Sequence, residues 1–141
     1  MGLKALVIED SLVFQKIMSS VLEDLGGVDE ICVAGFGKEG LAKIESFGPD
    51  VIFLDLHLPD MDGMDILEEL KKTGKKHRVV VVSGMSHEGA DLTIQALSKG
   101  AQQFIRKPSS GGFQASVQQL RAELKPVLAT VAMQTSGALR T

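Results

Sequence analysis

Short, continuously apolar runs rich in β-branched residues alternate along this chain with stretches of helical periodicity. That alternation limits the available folds more than any other feature. Val79-Val80-Val81-Val82 is the clearest strand. Lys4 to Glu9, Glu30 to Ala34, Asp50 to Asp55 and Gln103 to Lys107 read the same way. Between them, Phe14, Ile17, Met18, Val21, Leu22 and Leu25 recur at helical spacing, with Ser11 as N-cap and Gly26-Gly27 as the stop. Leu41, Ile44 and Phe47 mark a second helix, and Met64, Ile66, Leu67 and Leu70 a third. Leu92, Thr93, Ala96 and Leu97 mark a fourth, ending at Gly100. Phe113, Val117, Leu120 and Leu124 mark a fifth, which Pro126 is expected to kink or end. Val127 to Met133 then reads as a separate helical stretch and Gln134 to Thr141 as a frayed tail.

Strands apolar on both faces, each followed by a helix, imply a parallel sheet covered on both sides. Five such units with right-handed crossovers give an α/β, doubly wound (βα)5 sandwich of the flavodoxin-like kind. The chain has 141 residues, 44% of them hydrophobic, which suits one domain with a real core. Net charge is −3 without a basic stripe, so a nucleic-acid grip is not expected. No apolar run is long enough to span a membrane and no signal segment opens the chain, so the expected address is the cytoplasm. A single cysteine, Cys32, rules out an intrachain disulfide framework and reads as a small buried hydrophobe.

In doubly wound sheets the ligand site lies beyond the carboxyl ends of the strands. There the sequence places Glu9-Asp10 after the first strand, Asp55 after the third, Ser83 after the fourth and Lys107 after the fifth. Three carboxylates on one edge repel unless a cation sits among them. Hard oxygen donors suit magnesium better than zinc. Lys107 adds a fixed positive charge, and the Ser83 hydroxyl can donate to an oxyanion.

At these residues the chain resembles the receiver domain of two-component response regulators, over residues 3 to about 124. The resemblance rests on Glu9-Asp10-Ser11, Asp55 followed by Leu58-Pro59-Asp60-Met61-Asp62-Gly63, Ser83-Gly84 and Lys107-Pro108. It implies that Asp55 accepts a phosphoryl group from a histidine kinase or histidine phosphotransfer domain. It implies Mg²⁺ (or Mn²⁺) held by Glu9, Asp10, Asp55 and the main-chain carbonyl of His57. Lys107 would bond the phosphoryl oxygens, with its peptide bond to Pro108 cis. Ser83 and Phe104 would form the switch, Phe104 turning inward as the Ser83 loop closes. Hydrolysis would use a water near His57 and Met85. Output, or homodimer contact, would pass through the fourth helix, fifth strand and fifth helix. A finer resemblance runs from Ser83 through Met85-Ser86-His87-Glu88-Gly89-Ala90 to Lys107-Pro108, with the spacing of the chemotaxis protein-glutamate methylesterase receiver. His57-Leu58-Pro59-Asp60 departs from that subfamily's usual Glu-Met-Pro-Arg. Residues 1–124 would then be the receiver and 125–141 a linker or tail, reaching toward a C-terminal output domain or closing a stand-alone receiver.

Other patterns compete. Gly35-Phe36-Gly37-Lys38-Glu39-Gly40 is a formal GxGxxG between strand and helix, a dinucleotide-binding fingerprint on pattern alone. It leaves Glu9, Asp10, Ser83 and Lys107 without a role. An aspartyl-phosphate phosphatase of the haloacid-dehalogenase type would need an acid two residues after the nucleophile, where His57 stands. A flavodoxin-like flavin site would want hydroxyls after the first strand, where two acids stand. His77 and His87 read as surface residues, and Lys71, Lys72, Lys75 and Lys76 as a solvated turn.

Overall fold

The computed structural model describes residues 2–84, 89–108 and 111–135. The elements follow in the order β1 (Leu3–Ile8), α1 (Leu12–Leu25), β2 (Val28–Ala34), α2 (Gly37–Phe47), β3 (Val51–Leu54) and α3 (Gly63–Lys72). Then come β4 (Val79–Ser83), α4 (Gly89–Ser98), β5 (Gln103–Arg106) and α5 (Gly112–Thr135). The five strands form one parallel sheet in the order β2-β1-β3-β4-β5. This is the doubly wound topology the alternation requires.

Strand alternation divides the core in two, since successive side chains point to opposite faces. Ala5, Val7, Val51, Phe53, Val80, Val82 and Ile105 face α1 and α5, meeting Ile17, Met18, Val21, Leu22, Leu120 and Leu124. Leu6, Ile8, Ile52, Leu54, Val79 and Val81 face the opposite way, meeting Ile44 of α2, Ile66, Leu67 and Leu70 of α3, and Ala96 of α4. Because both faces are covered, the central strands β3 and β4 read as unbroken apolar runs rather than as alternating ones. Ser11 caps α1 as expected, its hydroxyl accepting from the Phe14 amide at 3.2 Å. Asp62 caps α3 through the Met64 amide at 2.9 Å.

The fifth helix departs from expectation. It runs unbroken from Gly112 to Thr135 with Pro126 inside it. Proline removes the N–H that would bond the Ala122 carbonyl, a cost of about 3 kcal/mol relative to alanine. The turns after it bury Val127, Leu128 and Val131 in the same cluster as α1 and the sheet. Burying such a side chain fully contributes about 1.5–3 kcal/mol, so three of them outweigh the lost bond. Packing overrides the local signal.

Cys32 is half-buried, because β2 is an edge strand. Lys71, Lys72, Lys75 and Lys76 are exposed as expected, and His87 lies outside the described residues. His77 is half-buried rather than on the surface, at the turn into β4. Its burial, with the Lys75 charge as a smaller cause, holds the imidazole below its ordinary pKa of 6.5. The folded state therefore binds that proton less readily than the unfolded chain. The resulting stability is complete above about pH 6.5 and is lost as pH falls through the lower, folded value. We expect the urea midpoint to drop between about pH 7.5 and 5.5, and His77→Gln to flatten part of that drop. An identical pH profile in the variant would contradict this assignment.

Candidate functional site

At β1 the strand order reverses direction, which makes the gap between β1 and β3 the switch point of the sheet. Glu9 is the first residue past β1 and Asp55 the first past β3, and the Asp55 amide donates to the Ile8 carbonyl at 3.0 Å. Ser83 is the last residue of β4 and Lys107 the first past β5, joined by a 2.9 Å bond from the Lys107 amide to the Ser83 carbonyl. The hydrogen-bond register of four strands thus fixes where the four polar side chains emerge.

Asp55 is buried, with 4% of its surface exposed, and Glu9 with 2%. The Ser83 hydroxyl donates to Asp55 Oδ1 at 2.9 Å, and the His57 amide approaches the same oxygen at 3.3 Å. Lys107 Nζ donates to Asp55 Oδ2 at 3.2 Å and pairs with Glu9 Oε1 at 2.6 Å. The second Glu9 oxygen accepts from the Ser11 amide at 2.9 Å. Burial raises the Glu9 carboxyl above its ordinary pKa, and the Asp55 charge adds to the rise, while Lys107 and the Ser11 amide oppose it. Asp10 is exposed at the mouth. One carboxylate oxygen from each of Glu9, Asp10 and Asp55 lies within 4.8 Å of the others. These hard oxygens, two buried and one open to solvent, fit a divalent cation of the magnesium type that keeps several waters.

The loop from β3 into α3 is tight. His57 and Asp62 form an isolated antiparallel bridge, and the Gly63 amide donates to the Leu56 carbonyl at 2.8 Å. A Cβ on Gly63 would lie 2.6 Å from the Asp55 carbonyl oxygen and 2.7 Å from Leu56 Cα. Both are backbone atoms and cannot swing aside. Gly63→Ala should cost about 2–3 kcal/mol in urea unfolding by overpacking. A neutral result would show that the loop has slack this geometry lacks.

The same loop disposes of the glycine-rich decoy. The Asp60 carboxylate accepts from the Gly37 and Lys38 amides at 2.7 and 3.0 Å, so the positive end of α2 already holds an internal anion. Those amides, Lys38 first, hold the Asp60 carboxyl below its usual range. Gly40 is required for packing, since a Cβ there would fall 2.6 Å from Ile8 Cδ1. Gly35, Gly37 and Gly40 thus serve a loop and a helix start, and dinucleotide binding loses its phosphate seat.

The sheet brings together Glu9, Asp10, Asp55, Ser83 and Lys107 as the sequence implies. Phe104 is half-buried and packs against the cluster on the α4 side. The Lys107–Pro108 bond corrects an expectation: it is trans, as are all peptide bonds among the described residues. Trans is the lower state of an X–Pro bond by about 0.5–1 kcal/mol, and the ammonium reaches both carboxylates from it. Met85 lies outside the described residues. Sequence reasoning did not find Asp60 as a cap or Phe14 as a neighbour of Lys107. Helical spacing explained Phe14 as core, and nothing local marks Asp60 as the partner of a distant helix.

A five-stranded doubly wound sheet with this acid, hydroxyl and lysine edge defines a receiver. The chain belongs to the response regulator receiver domain family, which it matches over residues 5–118. Among curated relatives, protein-glutamate methylesterase/protein-glutamine glutaminase 3 of Rhodospirillum rubrum is 40% identical over 121 residues, covering 86% of this chain and 32% of that protein. The protein-glutamate methylesterase/protein-glutamine glutaminase of Desulfotalea psychrophila is 35% identical over 140 residues, covering 99% of this chain and 38% of that protein. The chain therefore spans about a third of the length of these relatives. Among solved structures, the response regulator domain of Thermotoga maritima CheB superposes with a TM-score of 0.77 at 28% identity, covering 92% of this chain and 98% of that one. The resemblance to a chemotaxis methylesterase receiver agrees with these relatives. Among the described residues no helix is long and apolar enough to cross a membrane.

Proposed function

We propose that this domain accepts a phosphoryl group on Asp55 from a phosphohistidine of a kinase or phosphotransfer domain. The observation that carries the reading is one buried carboxylate held on opposite oxygens by a hydroxyl and an ammonium. In the step, an Asp55 carboxylate oxygen forms a bond to phosphorus as the phosphorus–nitrogen bond breaks. The imidazole nitrogen leaves with the electron pair. Phosphoryl transfer asks mainly for alignment and charge neutralisation. Glu9, Asp10, Asp55 and the main chain at His57 would hold Mg²⁺ or Mn²⁺, which supplies charge neutralisation on the transferred oxygens. Lys107 contributes the fixed cation, 3.2 Å from Asp55 Oδ2.

After transfer, the Ser83 hydroxyl exchanges its Asp55 partner for a phosphoryl oxygen and draws the following loop inward. Phe104 follows by packing alone, since it has no hydroxyl. Such a change would act as a bias on an equilibrium between two arrangements. Output passes through α4, β5 and α5, where Ile94 and Leu97 are exposed on α4. The relatives' names point to a methylesterase as the controlled activity, with a stand-alone receiver as the second reading. On treatment with acetyl phosphate and Mg²⁺, intact-mass spectrometry should show one added phosphoryl group, labile to hydroxylamine as an acyl phosphate. An unchanged mass would refute the acceptor reading.

A further inference from the structure

Lys107 has a third neighbour that carries no charge. Its Nζ lies 4.6 Å from the centroid of the Phe14 ring. The face of an aromatic ring attracts a cation, and more strongly when both are withdrawn from water. Here Phe14 is 8% exposed and the lysine side chain 19%. Phe14 packs with Met18, Phe53 and Val82 beside Glu9 and Asp55, with no water-sized gap between them. Its backbone is also tied to the site, because the Phe14 amide donates to Ser11, whose own amide donates to Glu9. One short segment, Glu9 to Phe14, therefore supplies both an acid and an aromatic face to the same ammonium.

Among the described residues the ammonium also meets the carboxylates of Glu9 and Asp55, and Asp55 becomes an acyl phosphate in the reaction proposed above. The ring is a contact that takes no part in the reaction. We propose that Phe14 is a positioning residue for Lys107, its ring face holding the ammonium in the site while Asp55 exchanges its carboxylate for an acyl phosphate. This rests on the reading of Asp55 as acceptor. A purely structural Phe14 would instead contribute only volume, and any side chain of similar shape would serve.

Fluorination separates the two roles, because it withdraws charge from the ring face with little change of shape. The full chain would carry 4-fluoro- or 3,4,5-trifluorophenylalanine at position 14. Labelling by acetyl phosphate with Mg²⁺ should slow progressively, by about fivefold with three fluorines. Phe14→Leu should slow it at least as much. In the unphosphorylated, metal-free protein, the ring current should shift the Lys107 ε-methylene protons upfield, and Phe14→Leu should abolish that shift. Normal labelling at a constant rate across the fluorinated series would overturn the role of Phe14 alone, as would an absent ring-current shift in the parent protein. No labelling of the parent protein would overturn the acceptor reading and this inference with it, whatever the shift shows.

Discussion

Asp55→Asn is expected to abolish phosphoryl labelling, lowering the rate by more than about 10³-fold, as when an enzyme loses its nucleophile. The amide keeps the size of the carboxylate and can still accept from Ser83 Oγ and the His57 amide, which approach Oδ1 in the parent. It lacks the anionic oxygen that must bond to phosphorus, and it removes one of the three carboxylates gathered at the edge. The fold should survive, because Asp55 is held by its backbone bond to Ile8 as well as by its side chain. Intact-mass spectrometry after acetyl phosphate and Mg²⁺, with circular dichroism as the control for folding, decides the matter. Equal labelling of variant and parent would move the acceptor elsewhere.

Lys107→Met should have the second large effect, on stability as well as on transfer. It keeps an apolar stem but withdraws the ammonium shared by two buried carboxylates. Breaking a buried pair by removing one partner costs about 3–5 kcal/mol, because a charge is left uncompensated. The sign of the pH dependence follows from Glu9, whose carboxyl burial already raises. A raised folded-state pKa means that the folded form takes up the proton more readily than the unfolded one, so stability is lost as pH rises through it. Without Lys107 the rise is steeper. The deficit of Lys107→Met relative to the parent should be largest near about pH 8 and shrink toward about pH 5. Mg²⁺ at neutral pH should restore part of it by binding the folded form. Urea unfolding at the two pH values is the measurement. A deficit independent of both pH and Mg²⁺ would mean that the lysine matters for packing alone.

The fold was legible because the central strands β1, β3 and β4 are almost wholly apolar and the helices are periodic, so local and tertiary preferences agree. The five site residues were legible because parallel strands in register deliver their carboxyl ends to one edge, so position in a strand stands in for position in space. What stayed hidden depended on contacts across the chain. Asp60 caps a helix 22 and 23 residues before it. Phe14 meets Lys107 only because α1 packs beside β1 and β3. Pro126 signals a stop that the burial of Val127, Leu128 and Val131 overrules.

The unbroken run of α5 through Pro126 bears on where this domain can be cut. The match to the receiver family ends at residue 118, yet the side chains that close the core over α1 continue to Val131. A truncation at Leu124 would strip Val127, Leu128 and Val131 from the core cluster shared with α1 while leaving every acceptor-site residue intact. Such a fragment would keep the residues of the proposed acceptor chemistry and lose solubility. The family match and the packed core end at different residues, and a fusion or expression boundary should respect the second.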